Sequence, residues 1–238
     1  MHSTDLNGQK MKIVSLLSIL LVAAVPALSA DEMRPANFEH EDEKRRLHKR
    51  IVFPKMTRDA TVMLQCVSQI ATNGRMKETG CYTKDQFESD FASAVIKGAK
   101  KATMNPAVIN GKSRKIYLQF RVEFIAEGDN RTIHLYLNPG YAENVEAYGY
   151  KYIAAQRVIG KEPWQDVCPQ RARYLLTLKT FVGEDGQSGS PNLEKVSGIM
   201  PTVDCRNAIK DTILSSAFTP GMADGYPVPS AYVELFGN

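Results

Sequence analysis

The chain has 238 residues, 43% of them apolar and 24% charged, with a formal net charge of +4. No property is extreme enough for disorder throughout the chain, and its length suits one large domain or two small ones. So small a net charge also points away from nucleic acid and from charge-driven membrane binding.

Lys10 and Lys12 precede an apolar run, residues 13–28, broken only by Ser15, Ser18 and Pro26. Ala27-Leu28-Ser29-Ala30 and the acidic pair Asp31-Glu32 follow. This is the pattern of a secretory signal peptide over residues 1–30, ending at a small-residue cleavage site. The alternative is an inner-membrane anchor through residues 13–28, a run short for a span. Cleavage predicts a periplasmic or secreted protein with no membrane insertion after signal removal, because no later segment is apolar enough to cross. Losing two Lys and one Asp from the net +4 leaves +3.

Residues 31–50 read as a charged tether. The acidic stretch 39–43 is followed by Lys44-Arg45-Arg46-Leu47-His48-Lys49-Arg50. Opposite charges side by side predict a solvated segment with internal ion pairs rather than a binding patch. The four cysteines, Cys66, Cys81, Cys168 and Cys205, all lie beyond the leader. An even number in an exported chain predicts two disulfides, with three pairings open on spacing alone. A zinc site would want close pairs such as C-x-x-C, and none is present.

Residues 61–70 read as a strand, Thr72-Asn73-Gly74-Arg75 as a hairpin turn and 76–82 as the returning strand. Residues 85–101 carry Phe87, Phe91, Ala94, Val95, Ile96 and Ala99 at helical spacing. Asp85 or Thr83 can cap that helix, and Lys97, Lys100 and Lys101 suit its last turns. Pro106 prevents continuation, and Asn110-Gly111 leads into an alternating strand over 115–125. A connector, 129–165, opens with a Gly128-Asp129-Asn130 turn and a strand over 131–137. Its Tyr141, Tyr148, Tyr150 and Tyr152 are expected to cover the join between two units, the alternative being an exposed interface for a partner, and Trp164 to anchor the second. Residues 174–182 form the next strand, Asp185-Gly186 its turn, and 187–201 an ill-defined return. Asp204 is the expected cap of a helix over 205–216, and 230–236 is the last strand.

The two ends of this reading resemble each other. At an offset of 114, Asn110-Gly111 falls on Asp224-Gly225, Pro106 on Pro220, Met104 on Phe218 and Phe91 on Cys205. Phe53-Pro54 falls on Cys168-Pro169 at an offset of 115, and Asn73-Gly74 on Asp185-Gly186 at an offset of 112, which a few single-residue insertions reconcile. Internal similarity in one order predicts a tandem repeat. The expected fold is α+β: two small two-layer units, each a three-stranded antiparallel sheet with one helix, in the order β-β-α-β. The units span 51–128 and 166–238.

Each unit resembles the TonB C-terminal domain family. The family's segment, apolar-x-Pro-x-x-x-[Asn/Asp]-Gly before a final strand, is matched by Met104-Asn105-Pro106-Ala107-Val108-Ile109-Asn110-Gly111. It is matched again by Phe218-Thr219-Pro220-Gly221-Met222-Ala223-Asp224-Gly225. The resemblance implies a periplasmic, non-catalytic module that binds envelope proteins or extended peptides by strand addition, with a possible link to TonB-dependent outer-membrane transport. The chain departs from the family in its cleavable signal, its lack of a long Pro-rich spacer and its tandem copies. The binding edge is expected in the final strand, at Ala231, Tyr232, Val233, Glu234, Leu235 and Phe236. The alternatives are a structural envelope scaffold whose edges are already covered, or an enzyme with a site between the units.

Hairpin register then orders the cysteines. Around Asn73-Gly74, Cys66 and Cys81 face each other, as in a cysteine-bearing subgroup of the family. A strict two-residue loop would make them a hydrogen-bonded pair, too wide for a disulfide, unless a bulge or longer loop intervenes. The alignment puts Cys168 in the place of Phe53 and Cys205 in that of Phe91. It predicts a Phe53–Phe91 contact in the first unit and a Cys168–Cys205 bond in the second. No catalytic, metal or cofactor residues are assigned. His40 and His48 lie in the charged segment, and His134 stands alone on a strand.

Overall fold

The structure, a computed structural model, describes residues 33–169 and 173–237. The signal peptide and its anchor alternative lie outside the described residues. The strands are β1 (Met33–Arg34), β2 (Ala60–Ile70), β3 (Met76–Cys81), β4 (Ala107–Ile109), β5 (Lys112–Arg114), β6 (Ile116–Glu127), β7 (Asn130–Tyr136), β8 (Gln156–Val158), β9 (Tyr174–Val182), β10 (Asn192–Gly198), β11 (Phe218–Thr219), β12 (Gly221–Ala223), β13 (Tyr226–Val228) and β14 (Ser230–Gly237). The helices are α1 (Leu47–Arg50), α2 (Gln86–Ala99), α3 (Ala142–Tyr148), α4 (Trp164–Val167) and α5 (Val203–Leu214). The fold is α+β. No helix among the described residues is long and apolar enough to cross a membrane.

Strand, strand, helix, short hairpin, strand is the element order in both halves. The strands lie in the order β3-β2-β6 in the first half and β10-β9-β14 in the second. Helix α2 is capped by Asp85, whose side chain accepts from the Glu88 amide, as the sequence predicts. In α5 the cap is instead Thr202, accepting from the Cys205 amide, so the helix starts at Val203 and Asp204 sits inside its first turn. There Asp204 still favours the positive end of the helix dipole. Helix α2 buries Phe91, Val95 and Ala99 with Leu64, Phe120 and Phe124, while α5 buries Cys205, Ile209 and Ile213 with Leu176, Leu178 and Phe236.

The first sheet is larger than the expected three strands. It has six, because β7 and β8 pair with the far side of β6, and β11 of the second half pairs with β8. Residues 33–50 are docked rather than solvated. The expected ion pairs form, Arg46–Glu39 at 2.9 Å and Lys49–Glu43 at 3.3 Å. Yet Ala36 and Leu47 belong to the first core, and β1 pairs with β4.

Both disulfides join the expected cysteines, Cys66–Cys81 and Cys168–Cys205. The hairpin shows how the first fits. Ala71 and Arg75 close a three-residue loop, with the Ala71 amide donating to the Arg75 carbonyl. A bulge between Val67 and Gln69, with Glu78 at φ 50°, then shifts the register by one. Tyr82 N–H donates to the Gln65 carbonyl, which makes Cys66–Cys81 a non-hydrogen-bonded pair, with Cα atoms 4.0 Å apart. In the first half the Phe53 ring meets Phe91 edge-on at 6.1 Å. The aligned positions in the second half carry the Cys168–Cys205 bond.

Candidate peptide-binding edge

The final strand is at the edge of its sheet, but its outer main chain is already bonded. Asn144, on α3, donates to the Ala231 carbonyl at 2.9 Å and accepts from the Ala231 amide at 3.0 Å. One amide side chain thus mimics a neighbouring strand. The Val233 carbonyl accepts from Gln119 Nε2 at 2.7 Å and lies 3.0 Å from the Tyr141 hydroxyl, while Tyr148 donates to the Pro229 carbonyl. The side chains of Tyr232, Glu234 and Phe236 are buried, and those of Val233 and Leu235 half-buried. The expected edge at residues 231–236 is therefore closed over Ala231–Val233 by the Tyr-containing connector. Three of the four connector tyrosines serve the join: Tyr141 and Tyr148 bond to the last-strand region, and Tyr152 is fully buried, while Tyr150 stays exposed.

A different edge is open. Among the described strands β7 pairs with β6 alone. A two-residue turn, Gly128-Asp129 with Gly128 at φ 54°, joins them so that Glu127 opposes Asn130. Alternation from that pair leaves the N–H and C=O of Arg131, Ile133 and Leu135 facing away from β6. Beyond them the Leu137 carbonyl is taken by the Ala154 amide. A groove of about 720 Å³ runs along this edge, between residues 133–137 and the docked segment at Phe38, Glu39 and His48. Ile133, Leu135 and Leu137 are half-buried against the first core, as is Phe38, whose ring meets Phe120 at 5.6 Å. The seven residues of β7 span roughly 23 Å at about 3.3 Å each, enough to template an extended segment. Across β7, Glu123 accepts from the Tyr136 hydroxyl at 2.8 Å and lies 3.4 Å from His134 Nδ1. Burial and then that hydrogen bond push the Tyr136 phenol above its ordinary range. Strand β10 is also an edge. It exposes Val196, and among the described strands it pairs with β9 alone.

The second conspicuous polar arrangement is internal. Arg157 on β8 and Glu234 on β14 form a bidentate pair, both contacts 2.8 Å, at 3% and 5% exposure. Arg157 also donates to Glu162 at 2.7 Å, Trp164 Nε1 to Glu162 at 2.9 Å, and the Tyr232 hydroxyl to Glu234 at 2.5 Å. Neighbouring Gln156 holds Ala36 through both main-chain groups, at 2.7 and 2.9 Å. Two residues of β8 thus tie together the docked segment, the first sheet and the last strand. Nothing in the sequence marked Gln156-Arg157 for this, since neither fits an apolar pattern. Trp164 also packs on Phe236 at 5.3 Å, anchoring the second half as expected.

Burial, then the Glu234 charge, pushes the phenols of Tyr232 and Tyr117 well above their ordinary range. A phenol held protonated in the fold contributes stability below about pH 10, which is lost as pH rises above that ordinary value. An alkaline titration followed at 295 nm is therefore expected to show these phenols ionising together with unfolding, not before it.

Among the described residues no group of three or more His, Cys, Asp or Glu could hold a metal ion. Comparison with protein-family models, curated proteins and solved structures returns no match.

Proposed function

We propose that this chain is a non-catalytic binding module of the cell envelope that takes an extended segment of another protein by strand addition. Two tandem units resembling the TonB C-terminal domain form its frame. The common element order of the halves, the Phe53–Phe91 contact against the Cys168–Cys205 bond, and the Asn110-Gly111 and Asp224-Gly225 turns support the tandem reading. Two disulfides suit an exported protein and the proposed signal peptide.

The observation that carries the binding reading is the open β7 edge beside an apolar groove. Main-chain pairing to Arg131, Ile133 and Leu135 would supply affinity, and every second side chain of the added strand would reach the Phe38 side of the groove. The edge is moved from the final strand, where Asn144 already occupies it. That closure favours a second reading, an envelope scaffold, for the second half alone. A link to outer-membrane transport rests on the resemblance.

Ile133→Pro removes an outward N–H while leaving the inward bonds of β7 in place, a position where an edge strand tolerates Pro. Pull-down from envelope extracts is expected to lose its partners with Ile133→Pro and to keep them with Ile133→Val. Equal capture by both variants would sink the β7 assignment.

A further inference from the structure

Three segments far apart in sequence bring six cations around one concavity of about 520 Å³. Arg45 and Arg50 come from the docked segment, Arg75 and Lys77 from the hairpin, and Lys100 and Lys101 from the end of α2. The fold fixes this gathering. Leu47 is buried in the first core, the Thr103 amide donates to the Arg45 carbonyl at 3.0 Å, and Arg75 bridges Thr103. Gly98 lets α2 approach the main chain of Arg50, where a Cβ would meet Arg50 main-chain atoms at 3.1 Å.

Two of the six have a local reason. Lys100 and Lys101 sit at the negative end of the α2 dipole. That does not account for the other four. Among the described residues no acidic side chain lines the concavity, although the chain has 26 Asp and Glu. Asp42, 3.5 Å from Arg45, is the one carboxylate paired with any of the six among the described residues. Arg50 Nε is buried and has no hydrogen-bond partner among the described residues. Like charges held together cost self-repulsion, which a multiply charged anion would offset. Guanidinium forks suit the paired oxygens of phosphate.

The geometry points to a binding site for a ligand with two or more phosphate groups, free or on a lipid headgroup, separate from the β7 groove. Its recognition does not depend on strand addition.

The full chain would be titrated calorimetrically with pyrophosphate, and floated with phosphatidylcholine vesicles containing cardiolipin, whose headgroup carries two phosphates. Arg75→Gln/Lys101→Gln changes two exposed side chains of the site. Lys161→Gln/Lys195→Gln, two exposed lysines elsewhere, makes the same change in net charge. The first pair is expected to weaken binding by about tenfold or more, and the second to leave it unchanged. Saturable binding of pyrophosphate without vesicle flotation would assign a free phosphorylated ligand. Flotation without pyrophosphate binding would assign the headgroup, and both together the shared chemistry. Equal losses in the two double variants, no loss in either, or no binding of either probe would overturn the site.

Discussion

Arg157→Met is expected to destabilise the folded chain by about 3–5 kcal/mol, because it leaves the Glu234 carboxylate buried and unpaired. Burial alone disfavours the charged guanidinium, but Glu234, with its two hydrogen bonds, overcomes this and raises the Arg157 pKa. The loss would reach both halves, since Arg157 stands on a strand of the first sheet and Glu234 on the last strand of the second. Glu234→Leu should cost a similar amount, now by stranding Arg157. The double variant Arg157→Met/Glu234→Leu should cost less than either single change, since an apolar pair of similar volume fills the site without an orphan charge. Urea unfolding of the four proteins measures this coupling directly. Additive losses would mean that the pair does not act as a unit.

Gly74→Ala and Gly186→Ala are the next most damaging changes expected, each costing about 2–4 kcal/mol. Gly74 has φ 77°, and a Cβ there would stand 1.9 Å from the Met104 carbonyl oxygen. Gly186 has φ 73°, and its Cβ would stand 2.3 Å from the Phe218 carbonyl oxygen. Met104 and Phe218 are the residues that open the two Pro-x-x-x-[Asn/Asp]-Gly segments. The hairpin turn and the Pro-containing segment of each half therefore touch at their main chains, and the glycine is what permits it. Gly111→Ala is the control. Its φ is 68°, but nothing lies within 4 Å of an added Cβ, so only the backbone term of about 1 kcal/mol should appear. Thermal unfolding of the three variants separates clash from conformation.

What could be read from the sequence was whatever local chemistry decides. Hairpin counting paired Cys66 with Cys81, and the need for a longer loop or bulge followed from disulfide width; the three-residue loop and the Glu78 bulge supply both. The Asp85 cap and the α2 core face followed from spacing. Long-range pairing was not legible. Residues 131–137 read as a strand, yet nothing local says that β7 keeps a free edge while β14 is covered, because Asn144 is 87 residues from Ala231. Charge alternation suggested a solvated segment at 31–50, but buried Ala36 and Leu47 decide its place. Thr202 outcompeted Asp204 as a cap by a shift of two residues, the scale on which helix starts are least determined by composition. The β8 junction was invisible because its polar side chains are satisfied only by distant partners.

Amide hydrogen exchange, with and without a partner captured from the envelope, tests strand addition most directly. Ile133 and Leu135 face their N–H groups outward and should exchange freely alone. On binding, both should become protected, with the amides of β10 and β14 unchanged. Protection confined to β10 or β14, or none at β7, would contradict the account.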